Sequence, residues 1–102
     1  MASMDPDTCA ALERLIRVAH GRSGQSEHIA SLLLAWWCAT ENGGFAFRSF
    51  WKIDDALLAD ALRLVIWIAR HPDVWPTDTE YGEQIRAIQK IWGPILKPVP
   101  AN

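Results

Sequence analysis

The stretch SGQSEHIASLLLAWWCATENGG, residues 23–44, decides the fold of this chain. Ser23 can cap a helix, and Gly43-Gly44 can end one in the left-handed conformation. The apolar residues between them cover well over half of a helical circumference, so the helix must pack against neighbours on more than one side. The sequence therefore predicts a central helix. Its main stripe is Ile29, Leu32, Leu33, Trp36 and Thr40, extended by Ala30, Leu34 and Trp37.

Three further helices are predicted around the central one. The first opens at Asp5-Pro6 and closes at Gly21, because aspartate caps helices and proline fits their first position. The third begins at Asp54 or Asp55 and ends at Arg70-His71-Pro72, because proline cannot continue a helix. The predicted core faces are Leu12, Leu15, Ile16 and Ala19 on the first helix, and Leu57, Leu58, Ala61, Leu64, Val65 and Ile68 on the third.

The last predicted helix runs from about residue 79 to residue 92, after a loop at residues 73–79. Tyr81, Ile85, Ile88 and Trp92 follow helical spacing along it. Gly93-Pro94 is expected to end it, with an extended Pro-containing tail beyond. The chain is thus predicted to be an all-α bundle of four main helices. Its domain spans residues 8–96, between a lead-in at residues 1–7 and a tail at residues 97–102.

An aromatic connector, residues 45–53, joins the second helix to the third. Four aromatic residues lie within seven positions, and they do not alternate as they would in a strand. We expect one helical turn at residues 48–51, with two short strands as the alternative. The aromatic side chains are expected to plug one end of the bundle.

Composition limits the class of protein. Of 102 residues, 50% are apolar and 22% charged, with a formal charge of −2, which fits one folded domain. No apolar run is long enough to span a bilayer, and residues 1–8 lack the pattern of a secretory signal, so we expect a cytoplasmic protein without membrane contact. Cys9 and Cys38 are expected to be free, buried thiols.

A family resemblance rests on Leu33-Leu34-Ala35-Trp36-Trp37, Gly43-Gly44-Phe45, Trp51 and Asp54, together with Gly24-Gln25 and Tyr81-Gly82. Over residues 12–95 the chain resembles a family of small bacterial proteins classed as a domain of unknown function. It departs from the family's pattern at Cys38-Ala39 and Trp75-Pro76. The resemblance implies proteobacterial origin and genes on plasmids, prophages and integrative elements. It implies no catalytic residue, cofactor or substrate.

The residues themselves suggest no reaction. The histidines and cysteines lack metal-ligand spacing, so no metal and no cofactor is expected. Ser23 and His28 could be imagined as a catalytic dyad, but helix capping explains the serine better. Asp54 and Asp55 point about 100° apart on a helix, so they are poorly placed to act together as general acid and general base. We expect a non-catalytic protein.

Six tryptophans are the most informative feature, because a domain of this size buries a limited area. Trp36, Trp51 and Trp92 are assigned to the core. Trp67, beside Arg63 and Arg70, and Trp75 are the predicted contacts for a partner protein, since Trp and Arg are enriched in interface hot spots. A homodimer through the same surface is one alternative. Nucleic-acid binding through Arg48 and Lys52 is another, disfavoured by the net negative charge.

Overall fold

Residues 4–96 contain four α-helices, as predicted. The structure, a computed structural model, describes residues 4–96. The helices are α1 (Pro6–Ala19), α2 (Gly24–Asn42), α3 (Asp55–Arg70) and α4 (Gly82–Leu96). Short 3₁₀ helices lie at Phe47–Lys52 in the connector and at Pro76–Asp78 in the loop before α4; the second was not expected. No strand occurs between residues 4 and 96, so the all-α prediction is confirmed and the strand alternative for the connector is wrong.

Side-chain caps set the beginnings of the first three helices. Asp5 accepts a hydrogen bond from the Thr8 backbone N–H at 3.1 Å, and Asp54 accepts one from Leu57 at 2.8 Å. Ser23 accepts from the Ser26 backbone N–H, while the Ser26 hydroxyl accepts from that of Ser23. These bonds satisfy amide groups that have no partner within a helix. The predicted caps are therefore confirmed.

Helices α1 and α2 form the centre of the bundle. α1 packs against α3 on one side and α2 on the other, and α2 packs against α1, α4 and the connector. The prediction that α2 has several neighbours is confirmed, although α1 shares the centre with it. The fully buried large side chains come mostly from these helices and α4: Leu12, Leu15, Ile29, Leu33, Leu34, Leu64, Ile85 and Ile88.

Helix α2 contains a kink that the sequence did not predict. Cys38 has φ −162° and ψ 101°, far from helical values. Across this break the buried Asn42 side chain donates a hydrogen bond to the carbonyl of Leu34 at 3.3 Å. Insertion of a side chain into the hydrogen-bond ladder is a known cause of kinks. Gly43 then ends the helix with φ 81°, a conformation that favours glycine.

Helix α3 is rotated by about 60° from the predicted orientation. Asp60 and Trp67 are buried, at 8% and 6% exposure, whereas both were placed on the outer side. Leu58, Val65 and Ile68, predicted as core, are only half-buried. The reason lies in the neighbours: Asp60 pairs with Arg14 of α1, and Trp67 packs edge-on against Trp36 of α2.

The ends of the chain correct several boundaries. α4 begins at Gly82 rather than near residue 79, and it continues through Pro94 to Leu96 instead of ending at residue 92. Leu96 packs against the core, which favours the extra turn despite the hydrogen bond lost at proline. α1 begins at Pro6 after the cap Asp5, as the Asp5-Pro6 pattern predicted. The predicted tail, residues 97–102, lies outside the described residues.

A buried indole on α4 is hydrogen-bonded to the end of α1. Trp92 of α4 is 7% exposed, and its Nε1 donates to the carbonyl of Ala19 at 2.8 Å. Ala19 is the last residue of α1, so no backbone N–H of the helix donates to its carbonyl. The side chain of α4 therefore completes the hydrogen bonding of α1 inside the core.

The exchange Trp92→Phe is expected to lower the free energy of unfolding by about 2 kcal/mol, because it leaves the buried carbonyl unsatisfied and removes apolar volume. Urea unfolding followed by circular dichroism measures the change. Trp51→Phe is the control, with an expected change within about 0.5 kcal/mol because that indole is exposed. Equal stability of the two variants would contradict the role given to Trp92.

Candidate functional site

The six tryptophans divide differently from the prediction. Trp36 and Trp92 are buried as expected, but Trp51, assigned to the core, is 84% exposed. Trp67, predicted as a partner contact, is buried. Trp75 is 51% exposed, in agreement with the prediction that the interior is too small to bury all six tryptophans. Trp37 is half-buried. Exposed indole is thus present, at Trp51 and Trp75 instead of Trp67.

The connector is fixed to the bundle by its inward-facing side chains. The buried Ser49 hydroxyl lies 3.0 Å from Nδ1 of His28 on α2. The ring of Phe50 packs edge-on against that of Phe45, with centroids 4.9 Å apart. Both phenylalanines also pack against the core, so the connector is held at its start and its middle. Its outer residues therefore sit on a positioned support.

Four outward-facing residues, Phe47, Arg48, Trp51 and Lys52, form what we call the connector surface. Phe47 and Trp51 are 85% and 84% exposed, so they do not plug the end of the bundle as predicted. A 3₁₀ helix repeats every three residues, which aligns Trp51 with the exposed Arg48, while the same period aligns Phe47 with the half-buried Phe50 and the buried Ser49 with Lys52. The period relates Trp51 to a charged position, but it does not by itself separate exposed from buried residues along the connector.

The predicted contact patch at Trp67 does not exist as an exposed surface. The Trp67 ring stacks on His71, with centroids 4.1 Å apart, and meets Trp36 edge-on at 6.4 Å. The expected cation–π contact with Arg63 is not found among residues 4–96. Arg63 and Arg70 are exposed and line a groove above Trp67, whereas Trp75 does not line it.

Two grooves run between α1 and α3. The larger, about 1100 Å³, lies at the beginning of α1 and the end of α3, and the smaller, about 640 Å³, lies at their other ends. Arg14 and Asp60 line both, and their bidentate pair, with both bonds at 2.8 Å, bridges the helices between the grooves. This pair raises the pKa of Arg14. We call the two grooves together the arginine trough.

Positive charge exceeds negative charge in the arginine trough. Three aspartates line it, and each already accepts hydrogen bonds: Asp5 and Asp54 as caps, Asp60 from Arg14. The five arginines that line it are Arg14, Arg17, Arg22, Arg63 and Arg70. Only the first of these is hydrogen-bonded within residues 4–96. The trough is therefore a cationic surface on a chain whose net charge is −2.

The side chains that could take part in catalysis make structural hydrogen bonds instead. Ser23 caps α2, and His28 bonds Ser49 instead, so the imagined dyad is not formed. Neither His28 nor Ser49 lines either groove. Tyr81 donates to Glu13 at 2.6 Å, and burial together with this bond raises the pKa of Tyr81.

Cys9 and Cys38 are free thiols, but they are half-buried rather than buried. Between residues 4 and 96, no group of three or more histidine, cysteine or carboxylate side chains could hold a metal ion. None of the helices in this part of the chain has the length and apolar character needed to cross a membrane.

Residues 9–93 match the model of a family of unknown function (DUF7673), and the chain belongs to this family. The match extends from α1 to α4 and confirms the resemblance drawn from the sequence. No curated protein and no solved structure matches the chain. The family carries no activity that could assign a role to the connector surface or the arginine trough.

Quenching of tryptophan fluorescence by acrylamide checks the assignment of exposed indoles. The double variant Trp51→Phe/Trp75→Phe is expected to lose most of the readily quenched emission, because these two rings are the most exposed. Trp36→Phe/Trp67→Phe should retain it. The assignment of exposed indoles would be wrong if the readily quenched fraction remained in Trp51→Phe/Trp75→Phe and disappeared in Trp36→Phe/Trp67→Phe.

Acid unfolding checks the cap at the edge of the trough. The side chain and backbone N–H of Thr8 lower the pKa of Asp5 from its ordinary value of 3.8, and Arg63 contributes. A lowered folded-state pKa gives stability that is present above pH about 4 and is lost as the pH falls through the folded value. Asp5→Asn keeps a capping oxygen without this titration.

We therefore expect the difference in urea midpoint between wild type and Asp5→Asn to be largest near neutral pH and to shrink below pH 4. Both proteins are measured from pH 7 down to pH 2.5. A difference that stays constant across this range would show that the carboxylate of Asp5 contributes nothing through its charge.

Proposed function

We propose that this protein is a non-catalytic protein-binding module that contacts its partner through the connector surface. The observation that carries the proposal is the exposure of two large aromatic side chains, Phe47 at 85% and Trp51 at 84%, on a support tied to α2 by Ser49 and His28. Arg48 and Lys52 flank them and are also exposed. The partner chemistry that fits is an apolar pocket with an acidic rim.

The free energy available at this surface is large for its size. Burying a phenylalanine or tryptophan removes about 150–250 Å² from water, and at about 25 cal/mol per Å² two such rings supply several kcal/mol. The fixed position of the connector also favours binding, because side chains that are already positioned lose less conformational entropy on binding. Aromatic anchors beside arginine are the usual composition of interface hot spots.

This proposal keeps the function expected from the sequence and changes its location. The contact moves from Trp67 to the connector, because Trp67 is enclosed by Trp36 and His71. We further propose that the module serves a bacterial mobile element or phage as an inhibitor or modulator, in the cytoplasm. That setting is supported by the family resemblance.

Binding of single-stranded nucleic acid is a second candidate for the connector surface. Aromatic rings beside cations form the stacking platform that such proteins use, and Phe47 and Trp51 alternate here with Arg48 and Lys52. The net charge of −2 disfavours it. Binding of a labelled oligothymidine that weakens steeply with salt, and disappears in Arg48→Gln/Lys52→Gln, would favour this candidate.

Comparative affinity capture tests the protein-binding proposal. Wild type, Phe47→Ala/Trp51→Ala and Trp75→Ala are used as baits in lysate of the encoding organism, treated with nuclease. A protein retained by wild type is then purified and its Kd for each bait measured. We expect the double variant to bind at least about 100-fold more weakly, as for loss of two hot-spot residues, with an unchanged helical circular-dichroism spectrum.

Trp75→Ala is the matched control, since it removes another exposed indole outside the connector, and its Kd should change less than about twofold. Equal binding by wild type and the double variant would contradict the proposal. Light scattering of the purified chain covers the homodimer: a dimer that dissociates in the double variant would make a second copy the partner.

A further inference from the structure

The arginine trough is a second binding surface, separate from the connector surface. It follows the groove between α1 and α3, two helices that run antiparallel, as the Arg14–Asp60 pair and the grooves on either side of it require. The 16 residues of α3 give it a length of about 24 Å. Such a trough fits an elongated ligand better than a compact one.

The side chains along the trough combine cations with apolar surface. Arg63 and Arg70 are two helical turns apart on α3, a separation of about 10 Å along the axis. On the same helix Leu62 and Ile66 are 44% and 52% exposed, and Leu62 and Ile66 line the larger groove with the two arginines. The smaller groove adds Arg17 and Arg22.

The carboxylates of the trough form no hydrogen bond with four of its arginines, although the charge of Arg63 contributes to lowering the pKa of Asp5. Asp5 and Asp54 accept hydrogen bonds from backbone and side-chain donors at helix starts, and Asp60 accepts from Nε and Nη2 of Arg14. Four arginines therefore have no hydrogen-bonded acceptor within residues 4–96: Arg17, Arg22, Arg63 and Arg70. Guanidinium groups in this state are ready partners for carboxylates, which they bind in a bidentate manner.

We propose that the arginine trough binds an acidic amphipathic segment of another protein, with carboxylates near Arg63 and Arg70 and apolar side chains on Leu62 and Ile66. A helix with acidic residues seven positions apart matches the 10 Å separation, and helix-in-groove recognition uses such anchors. A nucleic acid fits less well, because exposed leucine and isoleucine line the same surface. The proposal does not depend on the connector surface.

Fluorescence anisotropy with designed peptides tests the proposal on the intact chain. The probe is a labelled helix-forming peptide of about 16 residues, with glutamates seven positions apart and leucines between them. A matched peptide carries glutamine at each glutamate position. We expect saturable binding of the glutamate peptide that weakens with salt, and at least about tenfold weaker binding of the glutamine peptide.

Paired variants locate the site. Arg63→Gln/Arg70→Gln is expected to weaken binding at least about tenfold, whereas Arg86→Gln/Lys90→Gln, which removes two exposed cations from α4, should change it less than about twofold. Trp51→Ala should also leave it unchanged, so failure of this proposal and failure of the connector surface are distinguishable. Circular dichroism of each variant confirms that it is folded.

Four results would overturn the proposal. They are no saturable binding of the glutamate peptide at low salt, equal binding of the glutamine peptide, an equal loss in the α4 variant, and tighter binding of an oligothymidine through Arg63 and Arg70. Light scattering adds a fifth. A dimer of wild type that dissociates in Arg63→Gln/Arg70→Gln would assign the trough to a second copy of the chain.

Discussion

The rotation of α3 about its own axis determines which surfaces this protein presents. Asp60 turns inward because Arg14 of α1 holds its carboxylate with two bonds of 2.8 Å. Trp67, two turns later, turns inward with it and packs on Trp36 of α2. A helix that buries these residues must expose the opposite side. Leu62, Arg63, Ile66 and Arg70 therefore reach the surface and form one wall of the arginine trough.

The interior of the bundle is too small to bury all six tryptophan side chains. The bundle buries Trp36, Trp67 and Trp92, and the polar edge of two of these indoles has a backbone partner: Trp36 donates to Val74 and Trp92 to Ala19. A buried indole N–H without such a partner is costly. Trp51 lies on a short 3₁₀ helix whose inner positions are already taken by Ser49 and Phe50. Its ring is left in water, and the proposed function follows from that exposure.

The two proposed surfaces have opposite origins. The connector surface is local, because six consecutive residues in a 3₁₀ helix place its aromatic rings and cations. The arginine trough is assembled from two helices, and residues 46 positions apart meet at its centre. Changes within the connector therefore act on one surface alone. A change at Asp60 would affect the trough and the packing of α3 together.

The sequence by itself determined the four helices and the starts of three of them, because caps, prolines and glycines act within a few residues of chain. It also determined that indole must be left over, since that depends on composition and size. Only the tertiary structure decided which indoles these are, how α3 is rotated, where α2 kinks at Cys38 and why α4 continues past Pro94. The physical reason is that each of these depends on a partner distant in sequence, such as Arg14 for Asp60, and helical periodicity describes one helix at a time.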